Sequence, residues 1–169
     1  KPTPIWAHQL DPTGTRLIGS KKRLIRNAAP WERNLVEGPF VLRRNGWFYL
    51  FYSGNACCGR ECNYALGVAR SRKLLGSWKK NPANPILAGN AAWKCPGHGS
   101  VVTDAQGRDF LLYHAYRTGE TVYVGRQGLL DQITWTADGW PVINGRRGPS
   151  TGAASPLAAA QGKSGFLFD

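Results

Sequence analysis

The 169-residue chain is long enough to bury one ordinary core, and it holds no apolar run near the roughly 20 residues that a membrane helix needs. Its formal net charge of +12 would attract any polyanion, but the Lys and Arg residues come in ones, twos and one threesome, mostly at turns. No nucleic-acid motif accompanies them, so the expectation is a solvated basic surface with neither a nucleic-acid nor a membrane partner.

Residues 4–10 (PIWAHQL) predict a strand, DPTG a tight turn and residues 16–18 a second short strand, the end of a unit whose beginning is not in the chain. Residues 19–33 read as a basic connection, with Pro30 and Trp31 packing beneath the next strand. Residues 36–42 alternate well enough for a strand, Asn45-Gly46 is a favoured hairpin turn, and residues 47–53 are an apolar, aromatic strand suited to burial. After a cysteine-containing loop, residues 63–71 (NYALGVARS) predict a third strand and residues 77–80 a short outer one.

The same order then recurs. Residues 99–103 predict a strand, 104–107 a turn, 109–116 a second strand, 121–130 a third and 133–136 an outer one. EGPFVLRRNGWFYLFYS and HGSVVTDAQGRDFLLYHAY align at an offset of 61 residues, which superposes Gly46 on Gly107 and Tyr52 on Tyr113, and places Glu37 opposite His98. The third strands align through Gly67 and Gly125. Such self-similarity marks a repeat architecture. Four-stranded antiparallel units with two apolar faces must be covered on both sides, and radial stacking of blades does this while leaving only short edges. The predicted fold is therefore all-β: about two complete propeller blades plus part of another, with a sandwich of two sheets as the alternative. Residues 149–169 are rich in small residues and read as a linker leading toward a further domain, with residues 1–148 forming the propeller portion.

Cys57, Cys58, Cys62 and Cys95 allow three complete disulfide pairings. The cluster CCGREC lacks the paired CxxC or CxxH units of a zinc site, so disulfides stapling a loop are the expected use, and with them a secreted or periplasmic protein whose signal is not in this chain.

In a propeller the innermost strand of each blade opens at one mouth of the central channel, which places Glu37 and His98 there together. A carboxyl flanked by Val36 and Gly38-Pro39 is partly desolvated, the setting a general acid requires. His114 aligns with Ser53 and reads as structural, and His8 carries no motif.

Glu37-Gly38-Pro39 followed by GWFYLFYS, then YALGVARS, Pro96-Gly97-His98-Gly99-Ser100, YHAY, Gly125-Arg126 and DGWPVI together resemble glycoside hydrolase family 43 over residues 5–148. The resemblance implies a five-bladed propeller acting on arabinose- or xylose-containing polysaccharide, of which this chain is the C-terminal part. It further implies that Glu37 is the general acid, that Arg126 reaches the substrate, and that His98 helps to hold one calcium ion on the propeller axis. The family's base aspartate and its tuning aspartate lie upstream of the matching segments. Asp11, in a DPTG turn, is not a credible base, so this chain alone is expected to be inactive unless the missing blades or a second copy complete it. Trp47, Trp93, Trp135 and Trp140 are the stacking platforms that a non-catalytic carbohydrate-binding half propeller would use.

Overall fold

The computed structural model describes residues 3–152 and 155–156; most of the expected linker lies outside the described residues. Strands β1 (Pro4–Leu10) and β2 (Leu17–Arg26) form a two-stranded hairpin. A short 3-10 turn at Pro30–Glu32 leads into the first complete blade, whose strands β3 (Val36–Arg44), β4 (Trp47–Gly54), β5 (Ala65–Ser71) and β6 (Lys79–Lys80) are hydrogen-bonded in chain order. The second blade repeats that order with β7 (Trp93–Thr103), β8 (Asp109–Arg117), β9 (Gln127–Trp135) and β10 (Pro141–Ile143). The all-β propeller architecture is thus present as two complete blades and two strands of another.

The central strand β4 shows why the blades stack. Successive side chains of a strand point to opposite faces, and here both faces are apolar. Tyr49 and Phe51 enter a core shared with Leu111, Tyr113, Leu129 and Ile133 of the second blade, whereas Leu50 and Tyr52 enter one shared with Ile5 and Ile25 of the β1–β2 hairpin. Trp31 packs beneath the blade as expected, with its ring centroid 5.8 Å from that of Tyr52. Gly54 and Gly67 leave the space its indole occupies, since a Cβ on either would lie within 3 Å of the ring.

Three expectations are corrected. Residues 19–26 are not a connection: β2 runs to Arg26 and pairs with β1 through Pro4↔Arg26 and Ile5↔Ile25. Only Ile25 of β2 is buried, so no alternation announces the strand. In the second blade the third strand is β9, not residues 121–130, and the outer strand is β10, not residues 133–136. Tyr113 pairs with Leu129 where Tyr52 pairs with Gly67, so Gly67 corresponds to Leu129, while Gly125 sits at φ 88° in the preceding loop.

The buried carboxylates are paired. Glu32, wholly buried, accepts hydrogen bonds from the Ala28 and Ala29 backbone amides (2.6 and 2.9 Å), from Tyr52 Oη (2.7 Å) and from Lys80 Nζ (2.5 Å), while Lys80 also donates to the Arg26 carbonyl (2.8 Å). Burial opposes its ionisation, and the donors together outweigh it and hold the carboxyl below its ordinary range. This one carboxylate joins the hairpin's exit, the 3-10 turn, β4 and β6. Replacing it by Ala leaves the Lys80 ammonium without its partner, and Glu32→Ala is expected to lose about 3 kcal/mol of stability in urea unfolding.

Candidate active site at the channel mouth

Both inner strands break their ladders near the mouth. The β3–β4 register shifts between Glu37 and Phe40, and the β7–β8 register shifts between Lys94 and Gly97 and again between Gly97 and Ser100. On the β4 and β8 side the offset of 61 holds, since Ser53 faces Glu37 and His114 faces Gly97. On the inner strands the offset is 60. The rung of Glu37 is therefore that of Gly97, and His98 stands where Gly38 stands, which corrects the pairing of Glu37 with His98. Backbone dihedrals agree: Gly38 has φ 58° and His98 φ 55°. A single-residue slip reverses which side a side chain takes, and here it brings the two chain segments together across the mouth. The His98 ring lies over Gly38, so that a Cβ on that glycine would be 3.1 Å from His98 Nδ1.

Around this contact a cluster forms. Tyr64, buried at the entry to β5, donates from Oη to Glu37 Oε1 at 2.8 Å. Its ring has room because Gly97 has no side chain; a Cβ there would lie 2.3 Å from two ring carbons. Burial, then the bond to Glu37, push the phenol well above its usual range, while Ser53 and the Arg126 charge pull the other way. Ser53 Oγ in turn accepts the His98 backbone N–H at 2.8 Å. His114 stacks on Tyr64, with centroids 5.9 Å apart and planes at 6°, and its centroid lies 6.4 Å from that of His98. Arg126 Nη1 approaches His114 Nε2 at 3.3 Å. A guanidinium can only donate, so Nε2 is the acceptor and the neutral ring carries its proton on Nδ1. Desolvation first, then the charges of Arg126 and His98, pull His114 down to about 4.

Glu37 is half-buried, and among the described residues only Tyr64 bonds to its carboxylate. His98 and Arg126 are both exposed at the same mouth. The structure thus brings together Glu37, His98 and Arg126 and adds two residues, Tyr64 and His114, that the sequence pattern does not mark as functional. Alignment with Ser53 makes His114 look structural, and Tyr64 is merely the first letter of YALGVAR. A tyrosine opening the strand that follows a buried Ser53 is the available signal. Asp11 lies in the β1–β2 turn, bonded to Thr13, Thr15 and Arg16 of its own loop.

No three His, Cys, Asp or Glu side chains converge on a metal position among the described residues. Calcium takes six to eight oxygen ligands, and the surroundings of His98 are another imidazole and a glycine, so these residues do not by themselves fit the expected ion. The cysteines pair as Cys62–Cys95, with Cα atoms 5.8 Å apart, and as the adjacent Cys57–Cys58. The four tryptophans belong to the blades: Trp93 and Trp140 are buried core, and Trp47 and Trp135 pack partly buried against it.

Residues 1–141 match the profile of Glycosyl hydrolases family 43. The chain belongs to that family. It is 29% identical over 161 residues to xylosidase/arabinosidase 43B of Humicola insolens, covering 91% of this chain and 29% of the relative. It is 30% identical over 118 residues to the extracellular exo-α-(1→5)-L-arabinofuranosidase ArbA of Cellvibrio japonicus, covering 64% and 33%. Among solved structures, a mutant of the family-43 protein BlXynB from Bacillus licheniformis superposes with a TM-score of 0.81 at 28% identity, over 95% of this chain and 31% of that one. The chain therefore spans about a third of the length of these family-43 proteins.

Two measurements check this site. In an NMR titration His114 is expected to change charge near pH 4 and to move upward in Arg126→Ala, which removes a repelling cation. Because the folded ring is neutral and the unfolded one titrates near 6.5, the stability it contributes is complete above pH 6.5 and is lost as the pH falls toward 4. Gly97→Ala places a methyl group inside the Tyr64 ring and is expected to cost about 1–3 kcal/mol in denaturant unfolding.

Proposed function

We propose that this chain supplies the general acid, Glu37, and a substrate-contacting arginine, Arg126, to an inverting glycoside hydrolase that releases terminal α-L-arabinofuranosyl or β-D-xylosyl residues from plant cell-wall polysaccharide. The observation that carries the reading is the hydrogen bond from Tyr64 Oη to Glu37 Oε1. A carboxylic acid whose Oε1 is occupied by a donor bears its proton on Oε2, the oxygen that no protein group holds among the described residues. Oε2 is then the atom that protonates the leaving glycosidic oxygen as the C–O bond breaks. Tyr64 positions the acid and His114 backs Tyr64 without a charge of its own, which leaves the Arg126 cation to face the sugar.

Inversion needs a second carboxylate about 6.5–9.5 Å from the first, with a water between them. Asp11 is committed to its turn, and we assign the base to polypeptide beyond these residues, either further blades or a second copy. The polymer class follows the relatives' names, which include xylosidases and arabinofuranosidases. Three relatives are named extracellular, and the chain pairs its four cysteines, which together support a secreted or periplasmic location.

The test combines the chain with a polypeptide carrying the upstream blades of a relative, using arabino- and xylo-oligosaccharides and activated aryl glycosides as substrates. Glu37→Gln is expected to lower turnover of the oligosaccharides by about 10²–10⁴-fold, and that of aryl substrates, whose leaving group needs little protonation, far less. Tyr64→Phe is expected to fall between wild type and Glu37→Gln with the same substrate preference. An equal loss on both substrate types would remove Glu37 from the role of acid.

A further inference from the structure

The end of the first blade opposite Glu37 carries a concavity that the proposed chemistry does not use. It is lined by Trp47, Arg70, Arg72, Lys73 and Lys79, together with small residues from Ser71 to Ser77. Strand β3 begins near the mouth, as does β5, and the concavity lies at the far end of β5, so the two places lie about 25 Å apart, the rise of seven to nine strand residues. Arg72, Lys73 and Lys79 are exposed, and none of the four cations forms an ion pair with a carboxylate among the described residues, although Lys80, Arg44 and Arg108 all do. Arg70 Nη1 donates to the backbone carbonyl of Asp138 at 2.6 Å, while its Nε is buried without a hydrogen-bond partner. The Asp138 carboxylate itself takes a bond from Thr136 Oγ1 at 2.6 Å. Arg72 Nη1 reaches the Gly46 carbonyl at 3.3 Å, which leaves most of its donors outward.

Four cations held in one hollow without a counter-charge repel one another, and the arrangement is relieved by an anion. The indole of Trp47 fixes the position of two of them: Arg72 and Arg70 lie 3.7 and 4.5 Å from its ring centroid. That packing also argues against nucleic acid. Single strands are held by bases stacked on open aromatic faces, and here guanidinium groups occupy the ring. A hollow with fixed guanidinium forks suits a planar carboxylate, which Arg binds in a bidentate manner.

We propose that this hollow is a carboxylate-binding subsite for an acidic polysaccharide, one whose sugars are uronates, and that it anchors the chain to polymer independently of the Glu37 mouth. The choice of polymer class rests on the polysaccharide reading above; the site itself does not depend on Glu37. Binding there would tether the protein to the acidic fraction of a cell-wall matrix while the mouth addresses neutral side chains.

The test is affinity electrophoresis of the full chain through gels containing polygalacturonate, neutral arabinan or single-stranded DNA, at low and moderate salt. Wild type is compared with Lys73→Glu/Lys79→Glu, with the charge-matched control Lys21→Glu/Lys22→Glu on β2, and with Glu37→Gln. Retardation by polygalacturonate is expected to weaken about tenfold in the Lys73/Lys79 variant, as two charge-assisted contacts are lost, and to be nearly unchanged in the other two. Equal weakening by the β2 control would assign the binding to net charge and overturn the subsite, as would stronger retardation by DNA than by polygalacturonate, or no retardation at all. Circular dichroism of each variant verifies its fold. Retardation lost while hydrolysis by the mixture with the upstream blades is intact, or hydrolysis by that mixture lost while retardation is intact, separates this inference from the reading of the mouth.

Discussion

The site depends on one constraint of backbone geometry, the break in each inner strand where it reaches the mouth. Gly38 and His98 occupy the left-handed region at this break, one in each blade. Glycine enters that region freely, whereas a histidine there costs about 1–2 kcal/mol, so the surroundings must hold it. Ser53 Oγ does so by accepting the His98 amide, and the missing side chains of Gly38 and Gly97 make room for the His98 and Tyr64 rings. The acid, the phenol, two imidazoles and the guanidinium meet because two strands leave their regular course at the same height.

Apolar burial on both faces of each blade leaves few places for buried charge. Asp109, at the bottom of β8, takes Arg44 Nη1 and Trp135 Nε1 at 2.8 Å and Thr103 Oγ1 at 2.6 Å. Asp131 takes Tyr113 Oη at 2.5 Å and the Ser150 amide at 3.1 Å. Each desolvated carboxylate has several donors, the condition under which burial of a charge is tolerated. Glu37 has a single donor among the described residues. A half-buried carboxyl with one oxygen uncommitted is poorly arranged for stability and well arranged for moving a proton.

Much of this is legible in the residues, for physical reasons that also explain the failures. Strands β3, β4, β5 and β8 announce themselves because an apolar core on both faces leaves unbroken runs such as FYLFYS and DFLLYHAY, and Asn45-Gly46 is a turn that little else explains. β9 hides because it carries Gln127, Asp131 and Gln132, whose buried or half-buried polar atoms look like a loop until Tyr113 is seen to satisfy Asp131. The glycine alignment also misleads. Gly46 and Gly107 superpose, but the loop from Asp104 to Arg108 is one residue longer between paired positions than its counterpart, so the inner strands are offset by 60 while the second strands are offset by 61. That slip conceals the equivalence of His98 with Gly38. Sequence spacing alone places Glu37 and His98 at one end, and the family resemblance adds Arg126, but Tyr64 and His114 need the stacked rings to be seen.

The seam between the two blades is fastened by different chemistry at its two ends. Near the mouth a covalent link joins Cys62 to Cys95, and Ser53 takes the backbone of His98. At the far end Tyr49 Oη donates to the Gly139 carbonyl at 2.5 Å, and Arg70 lies over Trp47 of one blade and Trp140 of the other. A seam secured at one end would pivot about it, and the distance between Glu37 and the groups on β7 and β8 would wander with that motion. Secured at both, the seam makes the mouth a preorganised surface. A sugar arriving there meets donors and acceptors already in place, so its binding energy is not drawn down by ordering the protein around it.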